Sequence, residues 1–363
     1  MIIQMTSVER MKRTLKHLET DRIPLFDSFW GETLAAWKFE SGYSDADEIG
    51  ARYKFDMLTA GWINHVARLG PEEITEETDK WFTRVDGNGA VLRYWKHKSG
   101  TPEHVRFTVD DHDKWELLKV DLLAVPVEKR VSLEDTLNSQ HYARSRNKWF
   151  GWGGIECFEA AKDVIGHEQL CCAMAEDPEW AVDIFDTQTT VALSVMNYLE
   201  ENGVRFDGAL MYGDIAYNKG PFCSPRMYRK MVMPSHARQI GWFKERDLPV
   251  IYHTDGDFHA LIPSFIEVGI SCFQPLEAKA NMDVRDLKPE YGDLVCFMGN
   301  IDAMVLNTNN LDLVEAEVAS KIPAAKIGGG YIYHSDHSIP PGVKWSTYQF
   351  LMDRVAHYGR FES

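Results

Sequence analysis

The second half of the chain alternates short apolar runs with amphipathic segments. The apolar runs have the length and composition of buried strands, and they cover residues 206–214, 248–257, 269–277, 293–301 and 328–336. The longest amphipathic segment begins at Asp177-Pro178, where aspartate can cap a helix and proline suits its first turn, and it ends at Gly203. Strands that alternate with helices predict parallel β-α-β units.

Polar or titratable side chains follow each of these runs. They are Tyr212 and Asp214, His253 and Asp255, Gln274 and Glu277, Asn300 and Asp302, and the residues from His334 to His337. In a (β/α)8 barrel the carboxyl ends of all strands meet at one mouth, so these side chains would lie together. An open doubly wound sheet would also collect polar strand ends, but it usually carries a glycine-rich phosphate-binding turn early in the chain, and this sequence has none.

The first half supplies the remaining strands less clearly. Residues 21–30 and 53–62 are strand candidates, and residues 149–166 have the pattern of a strand followed by a helix. We therefore predict a single α/β domain over residues 1–363, a (β/α)8 TIM barrel.

An insertion interrupts this pattern at about residues 78–107. Its side chains alternate with period two on either side of Asp86-Gly87-Asn88-Gly89, which is typical of a β-hairpin. Four large aromatic residues of the hairpin look exposed, namely Trp81, Phe82, Tyr94 and Trp95. We predict that the hairpin lies outside the barrel, where it either covers the cavity or packs against a second subunit in a homodimer.

Charge and composition exclude several classes of function. The chain has 39 basic and 55 acidic residues and a formal net charge of −16, which predicts neither nucleic-acid nor membrane-surface binding. No apolar stretch approaches the roughly 20 residues that a membrane-spanning helix needs. Six cysteines show neither CxxC spacing nor the density of a disulfide scaffold, so we expect reduced thiols and a soluble cytoplasmic protein.

Several segments together resemble the uroporphyrinogen decarboxylase superfamily over nearly the whole chain. They include ERMKRTLKHLETDRIPLF at 9–26, DGALMYGD at 207–214, PVIYHTDGD at 249–257, MGNIDA at 298–303 and HSIPP at 337–341. The resemblance implies a single (β/α)8 barrel. It also implies one of two activities, because the superfamily contains porphyrinogen decarboxylases and cobalamin-dependent methyltransferases.

The stretch after the first strand argues against the decarboxylases. Those enzymes are expected to carry an arginine-rich RQAGR stretch there, facing the acidic side chains of the porphyrinogen. This chain has DSFWGETLAAW at 27–37, without an arginine. A highly anionic tetrapyrrole would lack its main counter-charges, so we expect no porphyrinogen decarboxylation.

Two positions resemble the zinc site of the methyltransferases. That branch carries His-x-Cys after one strand and a cysteine after the last, where this chain has His253 and Asp255, and His337. The resemblance thus implies a divalent metal, zinc first, on His253, Asp255 and His337, with Glu277 as a possible fourth ligand. Asp214 would handle the proton, and Asp336 or His334 would orient neighbouring groups.

The resemblance implies methyl transfer between a small molecule and a corrinoid. The corrinoid would arrive on a separate protein, because the sequence contains no Asp-x-His-x-x-Gly motif. Four further residues are expected to contact the substrate: Tyr212, Gln274, Asn300 and Trp152.

Two alternatives remain open. One is a metal-free decarboxylase or lyase in which His337 and Asp56, placed after the second strand, transfer protons. The other is a binding protein that uses the barrel mouth without turnover, although polar side chains at so many strand ends favour chemistry.

Overall fold

The computed structural model describes residues 4–43, 45–97 and 100–361. Its strands are β1 (Met57–Ala60), β2 (Glu73–Glu77), β3 (Trp81–Val85), β4 (Val91–Trp95), β5 (Glu103–Arg106), β6 (Trp149–Ile155), β7 (Gly208–Tyr212), β8 (Ala216–Tyr217), β9 (Gly220–Pro221), β10 (Val250–His253), β11 (Cys272–Gln274), β12 (Cys296–Met298) and β13 (Tyr331–Ile332).

Seven of these strands form one parallel sheet in the order β1-β6-β7-β10-β11-β12-β13. The segment at residues 23–26 closes the sheet into a barrel. On one side Leu25 forms a parallel bridge with Tyr333, and the amide of Phe26 donates to the Tyr333 carbonyl at 3.1 Å. On the other side the Asp56 amide donates to the Leu25 carbonyl at 2.8 Å. The predicted (β/α)8 barrel is confirmed, with this closing segment as its eighth strand position.

The helices surround the barrel. They are α1 (Ser7–Thr14), α2 (Gly31–Ser41), α3 (Ala46–Arg52), α4 (His112–Ala124), α5 (Leu133–Ser145), α6 (Cys157–Ile165), α7 (His167–Glu176), α8 (Pro178–Glu201), α9 (Pro225–Met227), α10 (Met233–Lys244), α11 (Ile262–Val268), α12 (Val284–Tyr291), α13 (Ala303–Asn307), α14 (Leu311–Lys326) and α15 (Trp345–Tyr358). None of the helices in the described part of the chain is long and apolar enough to cross a membrane.

The start of α8 follows the sequence pattern closely. The Asp177 side chain accepts a hydrogen bond from the Trp180 amide, and Pro178 occupies the first turn, where its missing N–H costs nothing. The helix ends at Glu201, and Gly203 then takes a positive φ of 92°. The predicted cap, first turn and end of this helix are confirmed.

Apolar side chains pack on both faces of the barrel wall. The interior is filled by Met57, Trp149, Leu210, Ile251, Cys272, Cys296, Met298 and Ile332, and Met11 and Leu15 of α1 join this cluster. Because α1 contributes to the interior cluster, it closes the amino-terminal end of the barrel. The opposite end, where the strands finish, is left for polar side chains.

The insertion contains more strands than the sequence predicts. The hairpin β3-β4 is present, with Trp81 opposite Trp95 and Val85 opposite Val91. It is flanked by β2 and β5, so that these four strands form one antiparallel sheet. Sequence analysis missed β2 because its residues, EITEE, are all exposed and charged residues dominate them. We call this sheet the antiparallel ribbon.

Candidate active site

Three titratable side chains converge at the carboxyl-terminal mouth of the barrel. Asp214 follows β7, His253 ends β10 and Asp255 follows it, and one ligand atom from each lies within 4.8 Å of the others. His253 Nε2 is 3.6 Å from Asp214 Oδ1 and 4.0 Å from Asp255 Oδ1. The backbone amide of Asp255 donates to Asp214 Oδ1 at 3.1 Å. This hydrogen bond holds the Asp214 carboxylate against the loop that follows β10.

Gln274 holds the imidazole of His253 in place. The Gln274 Oε1 atom lies 2.6 Å from His253 Nδ1, and the Gln274 side chain is buried at the end of β11. An amide oxygen can only accept, so Nδ1 carries a proton, and Nε2 is the nitrogen that faces the two carboxylates. Gln274 therefore touches the site through His253.

Asp255 is the residue whose surroundings best fit a bound cation. Its Oδ1 atom is buried and accepts no hydrogen bond from any residue that the structure describes. Burial raises the pKa of Asp255, and the charges of Asp214 and Glu277 act in the same direction against those of His253 and His337. An unsatisfied carboxylate oxygen beside an imidazole nitrogen and a second carboxylate fits the donor set of a divalent metal.

His337 stands at the edge of this group. Its Nε2 atom is 3.5 Å from Asp255 Oδ2, and its side chain is 40% exposed. It lies next to the group of three ligand atoms and outside it. Asp214 takes the position within that group for which the sequence analysis named His337.

The neighbours of His337 are buried and hold backbone groups. Asp336 accepts from the amides of Ala278 at 3.0 Å and Ala303 at 2.8 Å, and burial raises its pKa to about 6. His334 stacks on Phe26 with 5.8 Å between ring centroids. Asp336 thus ties together the segments that follow β11 and β12, next to the mouth.

Glu277 supports the turn after Asp255. One of its carboxylate oxygens accepts from the Gly256 amide at 2.8 Å, and the other pairs with Lys279 at 3.0 Å. These contacts leave it close to the site with both oxygens engaged.

Tyr212 lies over the imidazole of His253. The ring centroids are 4.6 Å apart, and Trp62 also packs against Tyr212, with 5.1 Å between ring centroids. Burial raises the pKa of Tyr212 to about 12, with the charges of Asp214 and Asp255 adding to the effect. The tyrosine therefore stays neutral and presents an aromatic surface beside the three ligand groups.

The other predicted substrate-contact residues do not reach the mouth. Asn300 is fully buried, and its side-chain amide is used up by backbone groups: Oδ1 accepts from Val284 at 3.0 Å, and Nδ2 donates to Leu276 at 2.7 Å and to Met282 at 2.6 Å. Trp152 points outward between the sheet and the helices, against Phe243 of α10 at 5.8 Å. The substrate roles predicted for Asn300 and Trp152 are therefore wrong.

Asp56 lies at the opposite end of the barrel. It precedes β1 instead of following it, and it is fully buried between Arg10 at 2.6 Å and Arg22 at 2.7 Å. Its Oδ2 also accepts from the Leu25 amide at 2.8 Å. The predicted pairing of Asp56 with His337 for proton transfer is wrong, because the two residues lie at opposite ends of the barrel and cannot contact one substrate.

Comparisons with known proteins identify the family and support the fold. Residues 157–358 match the profile of the family described as Uroporphyrinogen decarboxylase (URO-D). This chain belongs to the uroporphyrinogen decarboxylase family. The matched region contains the three converging residues Asp214, His253 and Asp255, and His337 as well. The resemblance stated from the sequence is confirmed.

One curated relative and one solved structure illustrate the distance to known proteins. The uroporphyrinogen decarboxylase of Saccharophagus degradans is 26% identical over 170 residues, which are 46% of this chain and 45% of that protein. The chain thus aligns with less than half of that relative's length. A methyltransferase from Methanosarcina mazei has a TM-score of 0.69 at 14% identity, covering 97% of this chain and 99% of that one. This second likeness concerns the fold.

A buried group beneath the site was missed by sequence reasoning. Glu156 caps α6 by accepting from the amides of Phe158 at 2.6 Å and Glu159 at 2.9 Å, and it pairs with the buried His236. The Glu159 carboxylate in turn accepts from the Asp214 amide at 3.1 Å, and burial raises its pKa to about 7. The signal was available, because IECFE places two glutamates directly after a predicted strand.

Proposed function

We propose that this protein is a methyltransferase that moves a methyl group between a small molecule and a corrinoid carried by a separate protein, assisted by a divalent metal, with zinc as the first candidate. The observation that carries the proposal is the unsatisfied Asp255 oxygen beside His253 Nε2 and Asp214. A metal would satisfy this oxygen and relieve the repulsion between the two carboxylates.

His253, Asp255 and Asp214 are the proposed ligands, and His337 is proposed for a fourth position. A bound zinc would act as a Lewis acid on the heteroatom that gains or loses the methyl group. A set of one or two imidazoles and two carboxylates is harder than a thiolate site, so it favours oxygen and nitrogen over sulfur as the polarised atom.

Other side chains prepare the site. Gln274 fixes the tautomer of His253, and Glu277 holds the turn at Gly256 that follows Asp255. Tyr212 and Trp62, whose side chain is 50% exposed, offer aromatic surface on which the carrier of the methyl group can pack.

The decarboxylase alternative loses support from the position of Asp56. That mechanism needs two proton-transferring groups at one site, and Asp56 is enclosed by two arginines at the other end of the barrel. His337 without a partner of this kind does not favour that chemistry over methyl transfer.

The direct test combines metal analysis with a methyl-transfer assay. Purified protein should hold about one zinc per chain by elemental analysis, and His253→Ala should lose it because this change removes the imidazole that lies between the two carboxylates. His259→Ala is the matched control, since His259 forms its own pair with Asp257 at 2.9 Å nearby. A native protein that takes up no divalent metal would refute the metal site.

The transfer itself can be followed with free cob(I)alamin. Zinc-loaded protein is mixed with methylamines, methoxyaromatics, methyl thioethers or methanol, and formation of methylcobalamin is read from the visible spectrum. We expect at least one donor class to react with the native protein and none with His253→Ala.

A further inference from the structure

A cavity of about 290 Å³ opens at the amino-terminal end of the barrel, away from the mouth. It lies between α1, the segment before β1 and the segment before β6. Five basic side chains line it: Arg10, Arg22, Lys54, Arg146 and Lys148. We call it the basic cavity. Its lining contains no acidic residue, which is unusual in a chain with a net charge of −16.

The charges of two of the five basic side chains are neutralised by carboxylates. Arg10 and Arg22 both bind the buried Asp56, and Arg10 also pairs with Asp21 at 2.7 Å. These pairs fix the two guanidinium groups as a rigid wall. Two carboxylates therefore balance two arginines, and neither carboxylate forms an ion pair with the other three basic side chains.

The remaining three cations have no acidic partner within the described part of the chain. Lys148 is half-buried, and its Nζ donates to the Phe55 carbonyl at 2.9 Å. Burial lowers the pKa of Lys148, and the charge of Arg146 adds to the effect against the charges of Asp56 and Asp47. Arg146 packs its guanidinium over the ring of Tyr142 at 4.7 Å. Gathering three like charges around one cavity costs free energy unless an anion joins them.

A second cavity at the same end of the barrel shows the ordinary arrangement. It measures about 680 Å³ and is lined by four basic side chains, three of which are paired. Lys12 lies 3.7 Å from Asp207, Lys16 lies 3.8 Å from Asp247, and Arg246 lies 2.7 Å from Glu200. The surplus of positive charge is thus a property of the smaller cavity and not of this whole end of the molecule.

We propose that the basic cavity binds a small oxyanion with two or more negative charges, such as the phosphate group of a phosphorylated metabolite. Lys54, Arg146 and Lys148 supply the cations that have no carboxylate partner among the described residues, and charge-assisted hydrogen bonds from such groups to phosphate are short and strong. The hydroxyl group of Ser7, at the start of α1, also lines the cavity and can donate. The site is independent of the methyl-transfer proposal, because it shares no residue with the mouth.

The test is titration calorimetry at low ionic strength with inorganic phosphate, and with citrate as a carboxylate probe. Native protein should bind phosphate, and Lys148→Gln or Arg146→Gln should weaken binding by about 10-fold or more, since each removes one charge-assisted hydrogen bond. Lys12→Gln removes the same charge at the second cavity and should change nothing. Tighter binding of citrate than of phosphate would assign the cavity to carboxylates.

Two further measurements make the result decisive. His253→Ala should bind phosphate as the native protein does, which separates the basic cavity from any anion held at the mouth. Thermal denaturation checks that each variant is folded. Arg146→Gln is expected to fold normally even if Lys148→Gln does not, because the Arg146 side chain is exposed and makes no ion pair among the described residues. No phosphate or citrate binding by native protein, or equal weakening by Lys12→Gln, would overturn the proposal.

Discussion

At the scale of single residues, the side chain of Gln274 decides which nitrogen of His253 faces the mouth. The hydrogen bond of 2.6 Å to Nδ1 leaves Nε2 as the nitrogen available to bind a metal. Groups that orient a ligand histidine in this way typically raise metal affinity by 10- to 100-fold. Sequence analysis expected Gln274 to contact the substrate, and its contact with His253 gives it a different role in the same site.

We therefore expect Gln274→Met to weaken zinc binding by roughly 10- to 100-fold while the protein stays folded, because methionine keeps the volume and removes the acceptor. Competition with a chelating dye measures the affinity. Gln188→Met is the control, since Gln188 is also buried and also bonds a histidine Nδ1, that of His65, at 3.0 Å. Equal zinc affinity in both variants would mean that Gln274 does not orient the ligand.

At the scale of secondary-structure elements, one tyrosine-glycine contact occurs twice around the barrel. The Tyr252 hydroxyl in β10 donates to the carbonyl of Gly213, which follows β7, at 2.9 Å. The Tyr331 hydroxyl in β13 donates to the carbonyl of Gly299, which follows β12, also at 2.9 Å. The first contact holds the residue next to Asp214, and the second holds a loop without a candidate ligand.

This repetition provides a matched pair of variants. Tyr331→Phe should lower the free energy of unfolding by about 1–3 kcal/mol, because among the described residues the Gly299 carbonyl has no other donor. Tyr252→Phe should lower it by only about 1 kcal/mol, because the Gly213 carbonyl still accepts from the Ile215 amide at 2.8 Å. Zinc affinity should fall only in Tyr252→Phe, since only Gly213 precedes a proposed ligand. Denaturant unfolding and zinc titration measure the two effects, and a similar loss of zinc affinity in Tyr331→Phe would contradict this assignment.

The same scale shows what the sequence could predict. Helix α8 and the strands β7 and β10 to β13 follow from local capping and apolar pattern, and so does the meeting of His253 and Asp255 at one mouth. The role of Asn300 could not be predicted, because it depends on three backbone groups brought by folding from elsewhere in the chain. Asp56 was misplaced for a related reason: a strand only four residues long gives no pattern to distinguish its beginning from its end.

At the scale of the whole molecule, negative charge dominates the mouth. Asp214, Asp255, Glu277 and Asp336 lie around it, and the nearby Lys279 is already paired with Glu277. A porphyrinogen with many carboxylates would meet repulsion here instead of counter-charges. We expect no product with fewer carboxylates when uroporphyrinogen is incubated with the protein and analysed by chromatography. Stepwise carboxylate loss at an ordinary enzymatic rate would contradict the methyltransferase proposal.

The antiparallel ribbon bears on the assembly of the molecule. Its aromatic residues are half-buried, because Arg93 lies 4.6 Å over Trp81 and Arg84 lies 4.8 Å over Phe82. The homodimer that the sequence analysis proposed would use the part of these side chains that stays exposed. Light scattering should give twice the mass of one chain, and Phe82→Asp should return it to one chain, whereas Leu117→Asp on the exposed face of α4 should not. If the native protein is a monomer, the remaining interpretation is that the antiparallel ribbon covers the cavity of its own barrel.

The way the barrel closes has a consequence for its internal motions. At residues 23–26 the ring is closed by two backbone hydrogen bonds with Tyr333 on one side. On the other side it is closed by one backbone hydrogen bond from Asp56 and by the Asp56 carboxylate, which replaces a backbone carbonyl as acceptor for Leu25. We expect the barrel sheet to open first at this closing segment, since local unfolding begins where the fewest hydrogen bonds protect the backbone. The amides of Phe26 and Tyr333 should therefore exchange with deuterium well before those of Ile251 and Tyr252. Asp56→Ala should speed the exchange at Phe26 and Tyr333 without changing that of β10.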